Sequence, residues 1–485
     1  MNVLLLSNGA PNYFNFFNAL ANCFARDGAT VSVAVDCSFS REENRLDALG
    51  FEIYDFSAFY LSHQVDRSIL ARYATYDLNA ALLSDFERAE VYGIWGNEID
   101  IGYYDRLKSA LLSYFEGIYE RRGIDVVIYE NVSNTFSHFA LFVAQCKGLI
   151  YCGIGGSRLP GRFSITNDPL CDDQTARTFC DIRNGRINVD QELRQWAVEY
   201  IATIETAVPD YMKINGLDQV GLLSRYLRLD RLSKVKSLLR HVFDSRTEAF
   251  QVGNPLRTHA NLFFRNVRRR LKIGRLRHFY QEPVLGEKFL LYPMHFHPES
   301  STSILAGPYL DEYEVIRNIA FSLPEGVRLY VKDHISAWGY PSLNFYRRIK
   351  RLPNVRLLDP KAPTKQLIKA SAGVITLSST VGYEALLLKK RVFLFGRVFY
   401  DFHTGVIKIV NPARLREIIS DGLAQSVDWD DAYNNDFVCS YYKSTLPGSL
   451  NLLLGPNEAR CAARHVYNEM LKAGIVKISQ ESVPS

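Results

Sequence analysis

Three polar clusters in the second half of the chain carry residue types that could bind a phosphorylated ligand. They are His295–Thr302 (HFHPESST), Lys332–His334 (KDH) and Ser378–Glu384 (SSTVGYE). Each follows a short apolar run that is typical of a buried β-strand. Because the carboxyl ends of parallel strands meet at one edge of a sheet, where ligands bind, we expect the clusters to lie together. Their hydroxyl, lysine and histidine donors predict a nucleotide-sugar as the ligand.

The last of these clusters is predicted to begin a helix. Ser378, Ser379 and Thr380 can cap it, and backbone N–H groups at a helix start attract anions. Gly382 would let the backbone come close to a ligand, and Glu384 would accept hydrogen bonds from ribose hydroxyls. The alternative is an ordinary helix cap with a carboxylate that compensates the helix dipole.

The middle cluster supplies two further candidates. Lys332 and His334 would neutralise a diphosphate or a monophosphate diester, and His334 would protonate a leaving phosphate. The alternative for His334 is a solvated histidine in a loop. We therefore predict a catalytic role for His334 and a donor-binding role for Lys332.

The first cluster would line the donor pocket. His297, Glu299, Ser300 and Ser301 are predicted to bind the donor, with Glu299 accepting from sugar or base hydroxyls. The alternative is a turn with polar caps. His295 and His297 would share a face of an extended segment, but the sequence places no third ligand near them. We therefore predict no metal site.

Two candidates lie in the first half of the chain. Glu130 ends an apolar strand, and as a general base it would deprotonate an acceptor hydroxyl or stabilise a cationic sugar centre. Arg158, also predicted to be catalytic, lies in a loop rich in glycine and arginine and would bind a carboxylate or phosphate bidentately. The alternatives are a carboxylate at a helix N-terminus and a flexible surface loop. No Gly-x-Gly-x-x-Gly fingerprint follows the first strand.

Strand and helix signals alternate in both halves of the chain, which favours parallel sheets with helices on both faces. In the second half the patterns predict, among others, a helix over Glu312–Ser322 and strands over Arg328–Lys332, Val355–Leu358 and Gly373–Thr376. We predict an α/β fold with two Rossmann-like, doubly wound domains, a helical insertion and a C-terminal closing helix. The predicted limits are 1–187 for the N-terminal acceptor domain, 188–282 for the insertion and a basic linker, 283–440 for the nucleotide-sugar domain, and 441–485 for the closing region.

Composition narrows the function classes. A chain of 485 residues with 47% hydrophobic and 22% charged residues is typical of a globular enzyme of two or three domains. A net charge of +5 does not indicate a general nucleic-acid binder. The eight cysteines form no Cys-x-x-Cys pair, which favours reduced thiols over a zinc site. The first residues lack a basic leader and no long apolar run follows, so we expect a cytoplasmic protein.

Residues 265–277 form a basic run with seven lysines and arginines. One interpretation is a solvated helix face or linker. The other is steering of an anionic substrate or peripheral attachment to the anionic inner face of the cytoplasmic membrane.

Over residues 288–410 the chain resembles bacterial capsular polysaccharide biosynthesis proteins, the family that includes the capsule Kdo transferases. Beside the three clusters, Asn354–Pro360 and Phe395–Tyr400 carry the likeness, with a weaker echo at Glu130–Asn134 and Ser157–Phe163. The resemblance implies a glycosyltransferase-B fold and a nucleotide-activated donor, with the ligand in the cleft between the two domains.

The family resemblance also bears on the donor. In families that use CMP-sugars, a His-Pro pair and a Ser-Ser or Ser-Thr pair contact the nucleotide phosphate. Ser378 and Ser379 match the second pair, whereas His334 is followed by Ile335 instead of proline. A CMP-Kdo-like donor is therefore one candidate among several nucleotide-sugars.

The expected function is a glycosyltransferase that passes a sugar from a nucleotide-sugar to a growing surface polysaccharide or glycolipid. We expect no cofactor, no metal and no nucleic-acid partner. One alternative is a sugar-nucleotide 2-epimerase, which would need no acceptor. Another is a non-catalytic scaffold for capsule assembly, which would tolerate loss of Glu130 and His334.

Overall fold

The computed structural model of the protein describes residues 1–10, 12–92, 101–207, 239 and 254–477. Two compact units are present. The first unit comprises Met1–Pro169, Gln219–Leu262 and Thr445–Ser485, and the second comprises Leu170–Asp218 and Phe263–Ser444. These bounds differ from the predicted domain limits, which stay a prediction. Residues 208–238 and 240–253 of the predicted insertion and linker lie outside the described residues.

The strands, in chain order, are β1 Asn2–Ser7, β2 Thr30–Val35, β3 Glu52–Asp55, β4 Val126–Glu130, β5 Ile150–Gly156, β6 Arg162–Thr166, β7 Phe289–Pro293, β8 Arg328–Lys332, β9 Val355–Leu358, β10 Gly373–Thr376, β11 Val392–Leu394, β12 Val406–Lys408 and β13 Leu446–Pro447.

The described α-helices are α1 Tyr13–Arg26, α2 Ser38–Glu43, α3 Phe56–Ser62, α4 Arg67–Arg72, α5 Leu83–Tyr92, α6 Ile101–Arg122, α7 Thr135–Lys147, α8 Gln174–Arg183, α9 Gln191–Ala202, α10 Pro255–Leu276, α11 Ser300–Ser303, α12 Glu312–Ser322, α13 Leu343–Lys350, α14 Thr364–Ala370, α15 Thr380–Leu387, α16 Leu415–Ala424, α17 Asp431–Lys443 and α18 Pro456–Lys472. None of them is long and apolar enough to span a membrane.

The first unit is built on a sheet with the strand order β13-β6-β5-β4-β1-β2-β3. The strands from β5 to β3 run parallel, whereas β6 lies antiparallel to β5 and β13 antiparallel to β6. Strand β4 is an apolar run, VVIYE, and its first four residues are buried. Such continuous burial is expected of a parallel strand covered by helices on both faces.

The C-terminal helix α18 packs in the first unit, against α1. The rings of Phe24 and Tyr467 meet edge to face with centroids 4.9 Å apart. Tyr467 Oη donates to Asp27 Oδ2 at 2.6 Å. The predicted closing helix is therefore present, and it covers one side of α1.

The second unit has a six-stranded sheet with the order β12-β11-β10-β7-β8-β9, in which all pairs are parallel. Its core joins strand residues such as Leu290, Val331 and Ile375 to helix residues such as Ile316 and Ile349. The two parallel-dominated sheets confirm the predicted α/β class with two Rossmann-like doubly wound units. The antiparallel edge formed by β6 and β13 was not predicted.

Candidate functional site

The point where the winding direction reverses locates the candidate site in the second unit. The chain passes from β7 outward through β8 to β9, and then returns to β10 on the other side of β7. In open α/β sheets, ligands bind in the crevice outside the carboxyl ends of the strands at such a switch point. The three predicted polar clusters follow β7, β8 and β10, so they leave the sheet at this edge, as expected.

A hydrogen-bond relay joins the loop after β7 to the end of β10. His295 Nδ1 lies 3.1 Å from Glu312 Oε1, and His295 Nε2 lies 3.2 Å from Thr376 Oγ1. Thr376 Oγ1 also accepts the backbone N–H of Ser379 at 3.2 Å. These contacts are all satisfied when His295 Nδ1 donates to Glu312 and Thr376 Oγ1 donates to His295 Nε2. The relay thereby fixes the start of α15 against the β7 loop.

Glu312 is the centre of this arrangement. Its carboxylate also accepts from the His295 backbone N–H at 2.8 Å and from Tyr292 Oη at 3.1 Å, and it lies 3.2 Å from His297 Nε2. Burial alone would raise the pKa of Glu312, but hydrogen bonds from His295 and His297 hold it well below its ordinary value. The site therefore contains a fixed negative charge with imidazoles on two sides.

Serine residues join the first and last clusters directly. The Ser378 hydroxyl donates to the Ser301 carbonyl, and Ser378 is 7% exposed. Ser379 caps α15 by accepting the Val381 N–H at 3.2 Å. The loops of β7 and β10 thus meet, which was the central geometric expectation.

Gly382 has a packing role that the sequence did not indicate. A Cβ atom at this position would lie 2.3 Å from Tyr400 Oη. Tyr400 in turn donates its hydroxyl to the Ser379 carbonyl. The glycine lets Tyr400 reach the first turn of α15. Glu384, on the same helix, is half-buried with Oε1 3.8 Å from Lys365 Nζ.

The residues after β8 are held by the protein itself. Lys332 is buried, its Nζ donates to the Pro360 carbonyl at 2.8 Å, and burial lowers its pKa. Asp333 is fully buried and accepts from Tyr280 Oη at 2.6 Å and from the His334 N–H at 2.7 Å. Burial raises the pKa of Asp333 to about 6.

His334 is neutral at physiological pH in this structure. Burial lowers its pKa to about 4. Its Nδ1 accepts the Ser336 N–H at 3.2 Å, so the neutral ring carries its proton on Nε2. Such a ring donates a hydrogen bond to a phosphate oxygen more readily than it protonates a leaving group.

Three donor-binding candidates lie at the start of the short helix α11. Glu299 is exposed, and its Oε2 accepts from Ser301 Oγ at 2.8 Å. Its backbone carbonyl accepts from the hydroxyl of Thr302 at 2.8 Å. Ser300 is half-buried in the first turn. Glu299, Ser300 and Ser301 thus lie at the outer border of the carboxyl edge of the second sheet.

The first unit presents a second polar edge. Glu130 ends β4 beside the switch point between β4 and β1. Ser133 Oγ donates to Glu130 Oε1 at 2.6 Å, yet burial raises the pKa of Glu130 to about 7. Asp36, after β2, accepts the Cys37 N–H at 2.7 Å, and burial raises its pKa to about 7 as well. A carboxyl with a pKa near neutrality is suited to general-base work.

Arg158 lies on this same edge, after β5, in a half-buried position. The preceding Ser157 Oγ accepts the Leu159 N–H at 3.1 Å and so turns the chain at this point. Arg158 belongs to the first unit, as does Glu130, whereas His334 and the donor-binding candidates belong to the second.

Glu312, Thr376 and Asp36 were not among the predicted site residues. Glu312 begins a helix that was predicted with its observed bounds, and an acidic residue there has an ordinary explanation in the helix dipole. A buried carboxylate next to two histidines becomes visible only when the fold joins residues 17 positions apart. Asp36 could have been found, because it follows β2 as Asp333 follows β8.

Comparisons with known proteins bear on the second unit. Residues 311–413, about a fifth of the chain, match the family model for capsule polysaccharide biosynthesis proteins. The matched segment contains Glu312, His334 and the whole Ser378–Glu384 cluster, but neither Glu130 nor the residues before Asp311. No curated protein sequence matches the chain.

Solved structures with a similar arrangement include two transferases and an epimerase. KpsC of Thermosulfurimonas dismutans, a β-Kdo 2,4 transferase, has a TM-score of 0.38 and 15% identity, covering 70% of this chain and 88% of its own. The β-Kdo 2,7 transferase of the same KpsC gives 0.32 and 11%, covering 80% and 96%. UDP-GlcNAc 2-epimerase from Neisseria meningitidis gives 0.29 and 12%, covering 97% and 100%.

Likenesses at such low TM-scores carry no argument about activity, and the family match is the stronger finding. It covers the part of the chain where the sequence motifs were most informative. The predicted resemblance to capsule polysaccharide biosynthesis proteins is therefore confirmed for residues 311–413.

Proposed function

We propose that the protein is a glycosyltransferase of surface-polysaccharide synthesis and that it binds a nucleotide-sugar at the carboxyl edge of the second sheet. One observation carries the proposal. The His295–Thr376 and Ser378–Ser301 contacts bring two polar loops together at the switch point of the sheet. The match to capsule biosynthesis proteins, over residues 311–413, includes Thr376 and Ser378 of these contacts and stops short of the loop after β7.

The chemistry of this edge suits a phosphate. The start of α15 offers N–H groups, and the neutral His334 ring offers an Nε2–H. Ser300 begins α11, and Thr380 and Glu384 lie in α15. In the proposal Glu299 and Glu384 have the carboxylates that would accept hydroxyl hydrogens from sugar and ribose. In this proposal two roles fall to the side chains of His297, Ser301, Ser378 and Ser379. They hold the loops of the site in place, and they also contact the ligand.

Glu130 would act on the acceptor. Its pKa of about 7 leaves a substantial carboxylate fraction at neutral pH that is still basic enough to take a proton from a hydroxyl. Arg158 would hold an anionic group of the acceptor, which for a surface glycan includes carboxylates. The transfer proposed here needs no redox cofactor, since a glycosidic bond replaces a sugar–phosphate bond.

Thermal unfolding with added CMP, CDP, UDP, GDP and their sugar conjugates tests the donor site. A ligand that binds the folded state raises the melting temperature by mass action. We expect one nucleotide to stabilise the wild type, and His334→Ala to lose that response while the exposed-histidine control His278→Ala keeps it. No shift with any nucleotide would overturn the proposal.

Product analysis separates transfer from the alternatives. If sugar is released or epimerised in the absence of an acceptor, the activity is that of an epimerase and the transferase proposal is overturned. Unchanged polysaccharide production by cells that carry Glu130→Ala or His334→Ala would favour a scaffold.

A further inference from the structure

The basic segment of α10 divides between two faces of one helix. Arg265, Arg269 and Lys272 recur at the spacing of a single face and contact the loop around Tyr340. The guanidinium carbons of Arg265 and Arg269 lie 4.1 and 4.5 Å from the centre of the Tyr340 ring. Arg269 Nε donates to the Trp338 carbonyl at 2.6 Å, and Lys272 Nζ donates to the Tyr340 carbonyl at 2.9 Å. These three cations hold the helix on the second unit.

The opposite face exposes an apolar stripe. Phe264 is 55% exposed, Val267 39% and Leu271 72%. Positions three, four and seven apart in a helix lie on one face, so the three side chains form a continuous strip. Burying these side chains against another surface would be favourable, because each keeps a large apolar area in water.

Arginines border the stripe on both sides. At 3.6 residues per turn, Arg268 and Arg275 flank it on one side and Arg270 on the other. All three are exposed, and no described carboxylate lies within ion-pair distance of them. The outer face of α10, defined here as Phe264, Val267, Leu271 and these three arginines, therefore combines apolar area with unneutralised positive charge.

We propose that the outer face of α10 docks the protein on an anionic lipid bilayer. An amphipathic helix of this kind lies in the interface plane, with apolar side chains at the acyl boundary and arginines at the lipid phosphates. Charge complementarity selects a lipid surface over a bare polyanion, because a polyanion would leave Phe264 and Leu271 in water. This inference goes beyond the proposed function and does not depend on it.

Vesicle flotation with the full chain tests the docking. We expect the protein to float with vesicles of phosphatidylglycerol in phosphatidylcholine, and to stay in solution with phosphatidylcholine alone. Rising salt should release it, because screening weakens the attraction of arginines to the lipid surface. Equal binding to both kinds of vesicle, or binding to neither, would overturn the proposal.

Two variants separate charge from apolar insertion. R268Q/R270Q/R275Q should lower the partition coefficient by about 100-fold, which is about fivefold for each charge. F264S/L271S should lower it by about tenfold or more, since two exposed apolar side chains no longer insert. Both variants change exposed positions, so the melting temperature and the nucleotide response should match those of the wild type.

Matched controls lie elsewhere on the second unit. R347Q/R351Q/R416Q removes the same charge from other exposed arginines, and L285S/V410S removes two apolar side chains that are more exposed than Leu271. Vesicle binding should persist in both controls. Equal losses in the controls would show attraction by net charge or general stickiness and would overturn a docking role for α10.

A second copy of the chain is the competing partner for this face of α10. Sedimentation velocity without lipid should give a species whose size is the same for the wild type and for F264S/L271S. A wild-type dimer that this variant dissociates would assign the stripe to a second copy of the chain and would overturn the membrane proposal.

Discussion

The two sheets are wound alike, yet their carboxyl edges differ in electrostatics. In each, the first strand of the unit lies between a strand that follows it and one that is reached after the reversal: β2 and β4 around β1, β8 and β10 around β7. Asp36 and Asp333 occupy corresponding positions after β2 and β8, and each accepts the next residue's N–H at 2.7 Å. Burial raises the pKa of both.

The difference arises beside the switch points. The first unit ends β4 with Glu130, whose pKa burial raises to about 7, whereas the second ends β10 with the hydroxyl of Thr376. In the second unit, the buried carboxylate of Glu312 is instead kept ionised by His295 and His297. Burial acts in the same direction on both carboxylates, and the hydrogen-bond donors decide which stays charged. One edge thus holds a titratable base and the other a fixed anion.

Removing the titratable base should have the largest effect. Glu130→Gln should lower the transfer rate by about 10²–10⁴-fold and abolish the rise of kcat/KM with pH that a base of pKa about 7 produces. The pH profile with the nucleotide-sugar identified by thermal shift measures this. Asp36→Asn removes another buried carboxyl of similar pKa and should retain the rise. If Asp36→Asn, and not Glu130→Gln, loses the rise of kcat/KM with pH, then the general base is Asp36, after β2.

Replacing the fixed anion should chiefly cost stability. Glu312→Gln leaves the donor groups of Tyr292, His295 and His297 without their charged acceptor and should lower the free energy of unfolding by about 3 kcal/mol. The pKa of Glu312 is lowered on folding, so this contribution is present above its ordinary value of 4.5 and lost as pH falls below that. Urea unfolding at several pH values measures it. The control Glu314→Gln, at an exposed ion pair on the same helix, should cost less than about 1 kcal/mol.

Two glycine-to-alanine substitutions, one at each edge, compare how closely neighbouring side chains pack on the backbone there. Gly382→Ala forces Tyr400 away from α15 and should destabilise by about 1–3 kcal/mol, with weaker nucleotide binding. Gly156→Ala, at the end of β5, meets nothing within 4 Å and should be near neutral. Chemical denaturation of both variants provides the comparison. Equal costs would show that the packing against Tyr400 does not set the helix start.

The smallest expected effect is an opposite pH response of the two edges. The pKa of Glu130 is raised from 4.5 to about 7, so its burial costs stability progressively as pH rises between those values. The pKa of His334 is lowered from 6.5 to about 4, so its burial costs stability as pH falls between them. After allowance for the partial exposure of both side chains, each group changes the free energy of unfolding by about 1 kcal/mol over its pH range. Because buried Asp333 opposes His334 in this pH range, the measurement compares the wild type with Glu130→Gln and His334→Gln, which lack the two titrations. Relative to these variants, hydrogen exchange corrected for intrinsic rates should show β4 of the wild type loosening toward neutral pH and β8 loosening toward acid. A common direction would contradict the assignment.

Local patterns were sufficient for most of the second unit. The predicted bounds of α12, β8, β9 and β10 agree with the structure, because buried parallel strands are short apolar runs between clear turn signals. The convergence of the three polar clusters followed from the same reasoning. Their roles in binding stay predictions.

Long-range pairing explains what was missed. Strand β13 has two residues, too few to carry a strand pattern, and it is recognised only by its pairing with β6, which joins Leu446 to Phe163. Strand β6, RFSIT, does alternate polar and apolar residues and could have been found from the sequence. The relay from Glu312 to Thr376 depends on contacts between separate loops. Tyr400, which makes Gly382 necessary, likewise lies beyond any local pattern.

The return of the chain to the first unit has a consequence for its synthesis. Strand β13 and helix α18 complete the sheet and the cover of α1, but a ribosome produces them after every residue of β7–β12. The N-terminal part therefore emerges early with one sheet edge and one helix face bare, and it reaches its final fold last. Nascent chains that stall before α18 would expose this sheet edge and the uncovered side of α1 to chaperones, even though every residue of the N-terminal part has already been synthesised.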